Sequence, residues 1–155
     1  IIPTHSAEGT LEYFVARSFE KEPSRKYDAP SSDKNLIGFE NMINWNVPIV
    51  LCEGAFDAIA IKRNAIPLFG KNISRKLMQK LVTSEVKKVY LALDSDAIKA
   101  TYKIADQLLK AGKKLFVIEL DDKDPADMGF ALFTNKIQEA QEFTFSSLLN
   151  LKLSI

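Results

Sequence analysis

Hydrophobic residues between positions 48 and 141 occur in short continuous runs that alternate with helix-periodic segments. Residues 48–52, 66–69, 88–93 and 114–120 form the runs and predict buried strands. Helices are predicted over 56–64, after the N-cap residue Ser74, over 98–109 with Gly112 as its C-cap, and from about Phe130. Continuous apolar strands alternating with helices are typical of a mostly parallel sheet with helices on both faces, so the pattern predicts an α/β fold.

The first 47 residues have a different pattern. Residues 1–6 and 10–19 flank a turn at 6–9 and predict a β-hairpin, which is followed by a loop rich in proline, serine and charge. We therefore divide the chain into a small β-rich segment (1–47), the α/β domain (48–142) and a tail (143–155). The tail has no strong pattern, and either a short packed helix or partial disorder is compatible with it.

Composition limits the classes of protein to consider. The chain has 155 residues, 46% of them hydrophobic, and a formal net charge of +1, so any contact with nucleic acid must come from a local basic patch. A single histidine and a single cysteine argue against a structural zinc site, and Cys52 is expected to be a buried apolar residue. There is no secretory signal and no run long enough to span a bilayer, so we expect an intracellular, non-membrane protein. The first residue is Ile1, which suggests a fragment of a longer chain.

Acidic residues follow three of the predicted strands. They are Glu53 after the first, Asp94 and Asp96 after the third, and Asp121, Asp122, Asp124 and Asp127 after the fourth. Right-handed crossovers place the carboxyl ends of parallel strands at one edge of a sheet, which is where ligands of such folds bind. The sequence therefore predicts an acidic site at this edge.

The negative charge of a cluster of carboxylates must be compensated. Two unit charges about 4 Å apart repel by about 4 kcal/mol at an effective dielectric constant near 20, so some carboxylates take up protons or a cation lies among them. Oxygen ligands alone favour Mg²⁺ or Mn²⁺. Structural alternatives stay open: Asp94 and Asp96 as strand end and helix cap, Glu53 as part of a turn, and Asp121 and Asp122 as residues of a solvated loop.

Taken together, the acidic motifs resemble those of a Toprim domain of the kind found in bacterial and phage DnaG-type primases. Glu53-Gly-Ala-Phe-Asp57 resembles the glutamate motif of that family, Asp94-Ser-Asp96 its Asp-x-Asp motif, and Lys123-Asp-Pro-Ala-Asp127 its third acidic motif. The segment 69–74 is similar to the loop between the first two motifs. Two departures are the continuation Ala97-Ile98-Lys99, where the family often has Ala-Gly, and the extra alanine in the third motif.

The N-terminal segment favours primases among Toprim proteins. Residues 2–17 are similar to the hairpin that precedes Toprim in primases, and residues 25–31 and 34–39 are similar to two segments that follow the hairpin. The resemblance implies that residues 1–47 are the end of the basic N-terminal subdomain of a primase. It also implies that Arg17, Lys26 and Lys34 line a groove for template DNA.

The resemblance further implies roles for the acidic residues. Glu53, Asp94 and Asp96 would be catalytic, and Asp57 would be a supporting acid. Mg²⁺ or Mn²⁺ would be held by Glu53, Asp94, Asp96, Asp124 and Asp127. Whether Asp124 or Asp127 faces the metal stays open.

The implied activity is that of a DNA primase, a nucleotidyltransferase that makes short RNA primers on a single-stranded DNA template from ribonucleoside triphosphates. A replicative helicase is an implied partner, and the cytoplasm of a bacterium or phage-infected cell the implied location, although the chain alone could be inactive. The alternatives are a metal-dependent nuclease of the Toprim type, a non-catalytic primase-like DNA-binding module, and a receiver-like signalling domain, which would need an aspartate that accepts phosphate.

Overall fold

The computed structural model describes residues 1–120 and 123–153, and its elements follow the expected alternation. The strands are β1 (Ile2–His5), β2 (Leu11–Arg17), β3 (Tyr27–Asp28), β4 (Ile49–Cys52), β5 (Ala65–Pro67), β6 (Lys88–Ala92), β7 (Lys114–Val117) and β8 (Glu142–Phe143). The helices are α1 (Ala55–Ile61), α2 (Arg75–Thr83), α3 (Ile98–Lys110), α4 (Pro125–Glu139) and α5 (Phe145–Leu153). Short 3-10 turns at Glu40–Met42 and Ser95–Ala97 precede β4 and α3, respectively.

A five-stranded sheet in the order β5-β4-β6-β7-β8 forms the centre of the fold. Its first four strands are parallel, and β8 is antiparallel to β7. Successive side chains of a strand point to opposite faces, so in β4 Ile49 and Leu51 join one core while Val50 and Cys52 join the other. Helices α2, α3 and α5 contribute to the first core, and α1 and α4 to the second. The prediction of a mostly parallel sheet with helices on both faces is confirmed.

The structure differs from the sequence-based expectation near the carboxyl end. Helix α4 begins at Pro125 rather than near Phe130, because Asp124 accepts a hydrogen bond from the Asp127 N–H group (2.7 Å) and Pro125 suits the first helical position. The helix is kinked at Gly129, whose φ is 77°, so the expected start at Phe130 corresponds to the part after the kink. In the tail, residues 145–153 form α5, whose Leu148 packs in the first core.

The predicted β-hairpin is present as β1 and β2, and β3 extends it to a three-stranded antiparallel sheet. Lys76 of α2 links this small sheet to the larger domain, since its ammonium group lies 3.0 Å from the carboxylate of Glu40 and 3.4 Å from that of Glu12. The ring of Tyr13 in β2 packs against Phe69, with centroids 4.8 Å apart. The small sheet is therefore held beside the carboxyl ends of β4 and β5. Within residues 1–120 and 123–153, no helix is both long and apolar enough to cross a membrane.

Candidate metal centre

Three carboxylates converge at the carboxyl edge of the parallel sheet. Glu53 follows β4, and Asp94 and Asp96 follow β6, which is the neighbour of β4. Because Cys52 and Ala92 are paired in the two strands, β4 and β6 end at the same level of the sheet. One oxygen from each carboxylate lies within 4.8 Å of the others. The order of the strands therefore brings together residues that are 41 and 43 positions apart.

The centre disfavours negative charge. Burial raises the pKa of Glu53, although its carboxylate accepts a hydrogen bond from the Asp94 N–H group at 3.1 Å. Burial also raises the pKa of Asp94, and the charges of Asp96 and Asp124 act in the same direction. A bound cation would relieve this repulsion, and a set of oxygen donors alone fits a hard ion such as Mg²⁺ or Mn²⁺.

Sequence reasoning missed Lys71, which brings a positive charge to this centre. Its ammonium group forms an ion pair with the Asp96 carboxylate, and the hydrogen bond to Asp96 raises the pKa of Lys71, together with the charges of Glu53 and Asp94. Lys71 lies in the loop after β5, at the same edge of the sheet as the acids. That position was the available signal, since loops after parallel strands share one edge.

Asp57 occupies a different position from the three clustered carboxylates. It is buried in the first turn of α1, where one carboxylate oxygen accepts from the Gly54 N–H group at 2.9 Å and the other from the Ala126 N–H group at 3.3 Å. Burial, and next the charge of Asp124, raise the pKa of Asp57 to about 6. Asp57 thus joins the loop after β4 to the beginning of α4.

Asp124 and Asp127 lie beside the cluster and are not part of it. Together with Asp94 and Asp96 they line a neighbouring cavity of about 350 Å³. Asp124 is the N-cap of α4, and one of its carboxylate oxygens is engaged by the Asp127 N–H group. The predicted residues Asp121 and Asp122 lie outside the described part of the chain.

A cleft of about 650 Å³ connects the centre with the N-terminal sheet. On the acidic side it is lined by Glu53, Asp57, Asp94 and Asp124. On the other side it is lined by aromatic and basic residues of the first 47 positions, namely Tyr13, Arg25, Tyr27 and Lys34. Asp28 also lines this side, where its carboxylate pairs with the Arg25 guanidinium at 3.0 Å. The cleft thus has carboxylates on one wall and mainly cationic and aromatic side chains on the other.

The three basic residues expected at a DNA groove lie at or near this cleft, and all are exposed. Lys34 lines it and donates a hydrogen bond to the Phe69 carbonyl oxygen at 2.8 Å, so it also supports the loop that carries Lys71. The Arg17 guanidinium lies 5.5 Å from the ring centroid of Tyr27 and 5.2 Å from that of Phe56. The Lys26 ammonium lies 5.6 Å from the Tyr27 ring. Both rings line the cleft, so Arg17 and Lys26 contact its wall.

Known proteins are similar to this chain in sequence and in fold. The chain is 30% identical over 131 residues to the uncharacterized protein MG010 of Mycoplasma genitalium; the match covers 77% of the chain and 59% of that relative, so the chain spans little more than half of the relative's length. A crystal structure of the Aquifex aeolicus primase, with its zinc-binding and RNA polymerase domains, has a TM-score of 0.69 and 23% identity, covering 91% of this chain and 40% of that one. The RNA polymerase domain of Mycobacterium tuberculosis primase DnaG has a TM-score of 0.68 and 17% identity, and the match covers 94% of this chain and 56% of that one.

At these identities, the two solved structures establish that the chain shares the fold of primase RNA polymerase domains. The family itself is shown by a sequence model described as Toprim-like. That model matches residues 50–128, which is half of the chain and includes all three acidic motifs. The chain therefore belongs to the Toprim-like family.

Proposed function

We propose that this chain is the catalytic core of a DNA primase, which joins ribonucleotides into short primers on single-stranded DNA. The observation that carries the proposal is the convergence of Glu53, Asp94 and Asp96 beside a cleft. Glu53 and Asp94 line one wall of this cleft, and mainly cationic and aromatic side chains line the other. The acidic wall suits a divalent cation and the triphosphate that binds it. The opposite wall suits a nucleic-acid strand, which offers phosphates to cations and bases to aromatic rings.

We assign Glu53, Asp94 and Asp96 as the residues that hold Mg²⁺ or Mn²⁺ and thereby act in catalysis. The bound ion would supply charge neutralisation at the triphosphate and polarisation of the reacting phosphoryl group. Asp124 and Asp127 line the neighbouring cavity together with Asp94 and Asp96, so they would contribute further ligands. Asp57 acts as a supporting acid, because its two hydrogen bonds hold the loop after β4 and the beginning of α4 in register.

For the template strand, we assign Arg17, Lys26 and Lys34. Their exposed cationic groups at the cleft would contact phosphates, so binding should weaken with salt and show little base preference. Such a protein would act on replicating DNA, in the cytoplasm of a bacterium or a phage-infected cell, where a replicative helicase is the expected partner.

The proposal is tested by incubating the chain with single-stranded DNA, labelled ribonucleoside triphosphates and Mn²⁺. We expect short labelled RNA products, and we expect Glu53→Gln to reduce their rate by at least about 100-fold, because it removes a charge at the reacting centre. Glu85→Gln is the matched control, since the exposed Glu85 precedes β6 at the opposite edge of the sheet. Full activity in Glu53→Gln would refute the assignment.

Two other outcomes lead to other functions. Cleavage of labelled DNA without primer formation would indicate that the same centre hydrolyses phosphodiester bonds. DNA binding without synthesis or cleavage would indicate a primase-like binding module. Mn²⁺ binding, measured on the same samples, shows why no primer is made. A centre that binds the ion but makes no primer lacks another part of the enzyme, whereas a centre that does not bind the ion is not a metal site.

A further inference from the structure

The loop after β5 is fixed in an unusual conformation next to the metal centre. Phe69 has a φ of 55°, in the left-handed region that disfavours residues with a side chain, and Gly70 follows with a φ of 141°. Several contacts hold this conformation. The Lys34 ammonium donates to the Phe69 carbonyl oxygen at 2.8 Å, and the Gly70 N–H group donates to the Glu53 carbonyl oxygen at 3.2 Å. The loop is thus tied to the end of β4, and Lys71 is the next residue.

The ammonium group of Lys71 reaches the centre from this loop. It pairs with the Asp96 carboxylate, and Asp96 in turn supplies one of the three oxygens that lie within 4.8 Å of one another. The Lys71 side chain is 46% exposed and that of Asp96 is 69% exposed, so the pair can separate without moving the core. An exposed ion pair is also weak enough for a divalent cation to displace it.

We propose that Lys71 is an internal cation of this centre, which holds Asp96 in the metal-free protein and competes with the divalent ion for its carboxylate. The inference rests on the proposed metal centre. When the ion binds, Asp96 exchanges its partner, and the Lys71 ammonium is released at the mouth of the cavity. Lys71 would therefore set the metal affinity of the site, rather than add to the protein's stability alone.

The competition has a direct consequence for metal binding. Lys71→Met removes the competing charge, so Asp96 is free to bind the ion. We expect the Mn²⁺ dissociation constant to decrease by a factor of about 1.5 to 5, which corresponds to the range of free energies measured for exposed ion pairs. Lys71→Arg keeps a cation at the position and should leave the constant closer to that of the wild-type chain than Lys71→Met does. Isothermal titration and electron paramagnetic resonance of Mn²⁺ measure the constant without requiring any activity.

Lys99→Met is the matched control. Lys99 lines the same cavity as Lys71 and Asp96, and within the described part of the chain no ion pair involves it. If the only effect of these lysines is general electrostatic repulsion of the ion, Lys99→Met and Lys71→Met should raise the Mn²⁺ affinity equally. That result would overturn the proposal. A second comparison uses Asp96→Asn, in whose background Lys71→Met should have no more effect than Lys99→Met. An undiminished effect there would also contradict it.

The experiment separates this inference from the proposed function. If the wild-type chain binds Mn²⁺, Glu53→Gln abolishes binding and Lys71→Met leaves the constant unchanged, the metal centre stands and the role of Lys71 is wrong. If the wild-type chain binds no Mn²⁺ but Lys71→Met does, the competition is supported. If neither chain binds the ion while circular dichroism shows both to be folded, the metal centre and the role of Lys71 are both refuted.

Discussion

Asp57 is buried, and burial raises its pKa to about 6 from an ordinary value of 3.8. The folded state binds the Asp57 proton more tightly than the unfolded state does. The contribution of Asp57 to the free energy of unfolding is therefore largest at low pH and falls as the pH rises from about 4 to about 6 and above. With these two pKa values the fall between pH 4.5 and 7.5 is about 2 kcal/mol, and contact with water reduces it to about 1–2 kcal/mol.

Asp57→Asn removes this pH dependence. The amide can accept one hydrogen bond where the carboxylate accepts two, from Gly54 and Ala126. The lost hydrogen bond contributes about 1 kcal/mol to the difference between the two chains, and this part does not change with pH. The difference in unfolding free energy between the two chains should therefore shrink by about 1–2 kcal/mol from pH 4.5 to pH 7.5.

Urea unfolding at several pH values in that range, with a chelator present, measures the difference. Glu53 and Asp94 also have raised pKa values, but both chains contain them, so the part of their contributions that does not depend on Asp57 cancels. Parallel pH profiles for the wild-type and Asp57→Asn chains would refute the reasoning.

Packing and charge also determine the expected effects of substitutions at Leu91, Lys76 and Lys26. Leu91→Ala, in the fully buried middle of the sheet, should lower the free energy of unfolding by about 2–5 kcal/mol in urea titrations, whereas Ile59→Ala, at a position that is 49% exposed, should cost less than about 1 kcal/mol. Lys76→Met should destabilise the chain because it leaves the buried Glu40 carboxylate without its cation, and the loss should become smaller in a Glu40→Gln background; equal losses in both backgrounds would contradict this. Lys26→Ala should weaken binding of single-stranded DNA and lower the slope of log affinity against log salt by about 0.7, measured by fluorescence anisotropy; an unchanged slope would show that Lys26 contacts no phosphate.

The sequence predicts the larger sheet well because its strands are continuous apolar runs, such as 88–93, between turn residues. The meeting of Glu53, Asp94 and Asp96 could also be anticipated, since parallel topology alone brings the carboxyl ends of neighbouring strands together. Their catalytic and metal-binding roles stay predictions. Strand β8 has only two residues, which is too short for any periodic pattern to indicate it.

The remaining features depend on contacts that no local pattern contains. Lys71 reaches Asp96 because Phe69 adopts a left-handed conformation held by Lys34, a residue 35 positions earlier. The bracing role of Asp57 depends on Ala126, which is 69 positions later. The beginning of α4 was missed for a different reason: apolar periodicity indicates the part after Gly129, whereas a cap and a proline determine the first turn.

The two edges of the main sheet have a consequence for the behaviour of the protein at high concentration. Unpaired strand edges can recruit strands of other molecules and so begin aggregation. Here one edge strand, β5, has three residues and ends in Pro67, which has no N–H group to offer, and Gly38 packs so closely on it that an added Cβ would lie 2.4 Å from the Pro67 carbonyl oxygen. The other edge strand, β8, has two residues and includes the charged Glu142. Neither edge offers a long template, so this sheet resists edge-to-edge association between molecules.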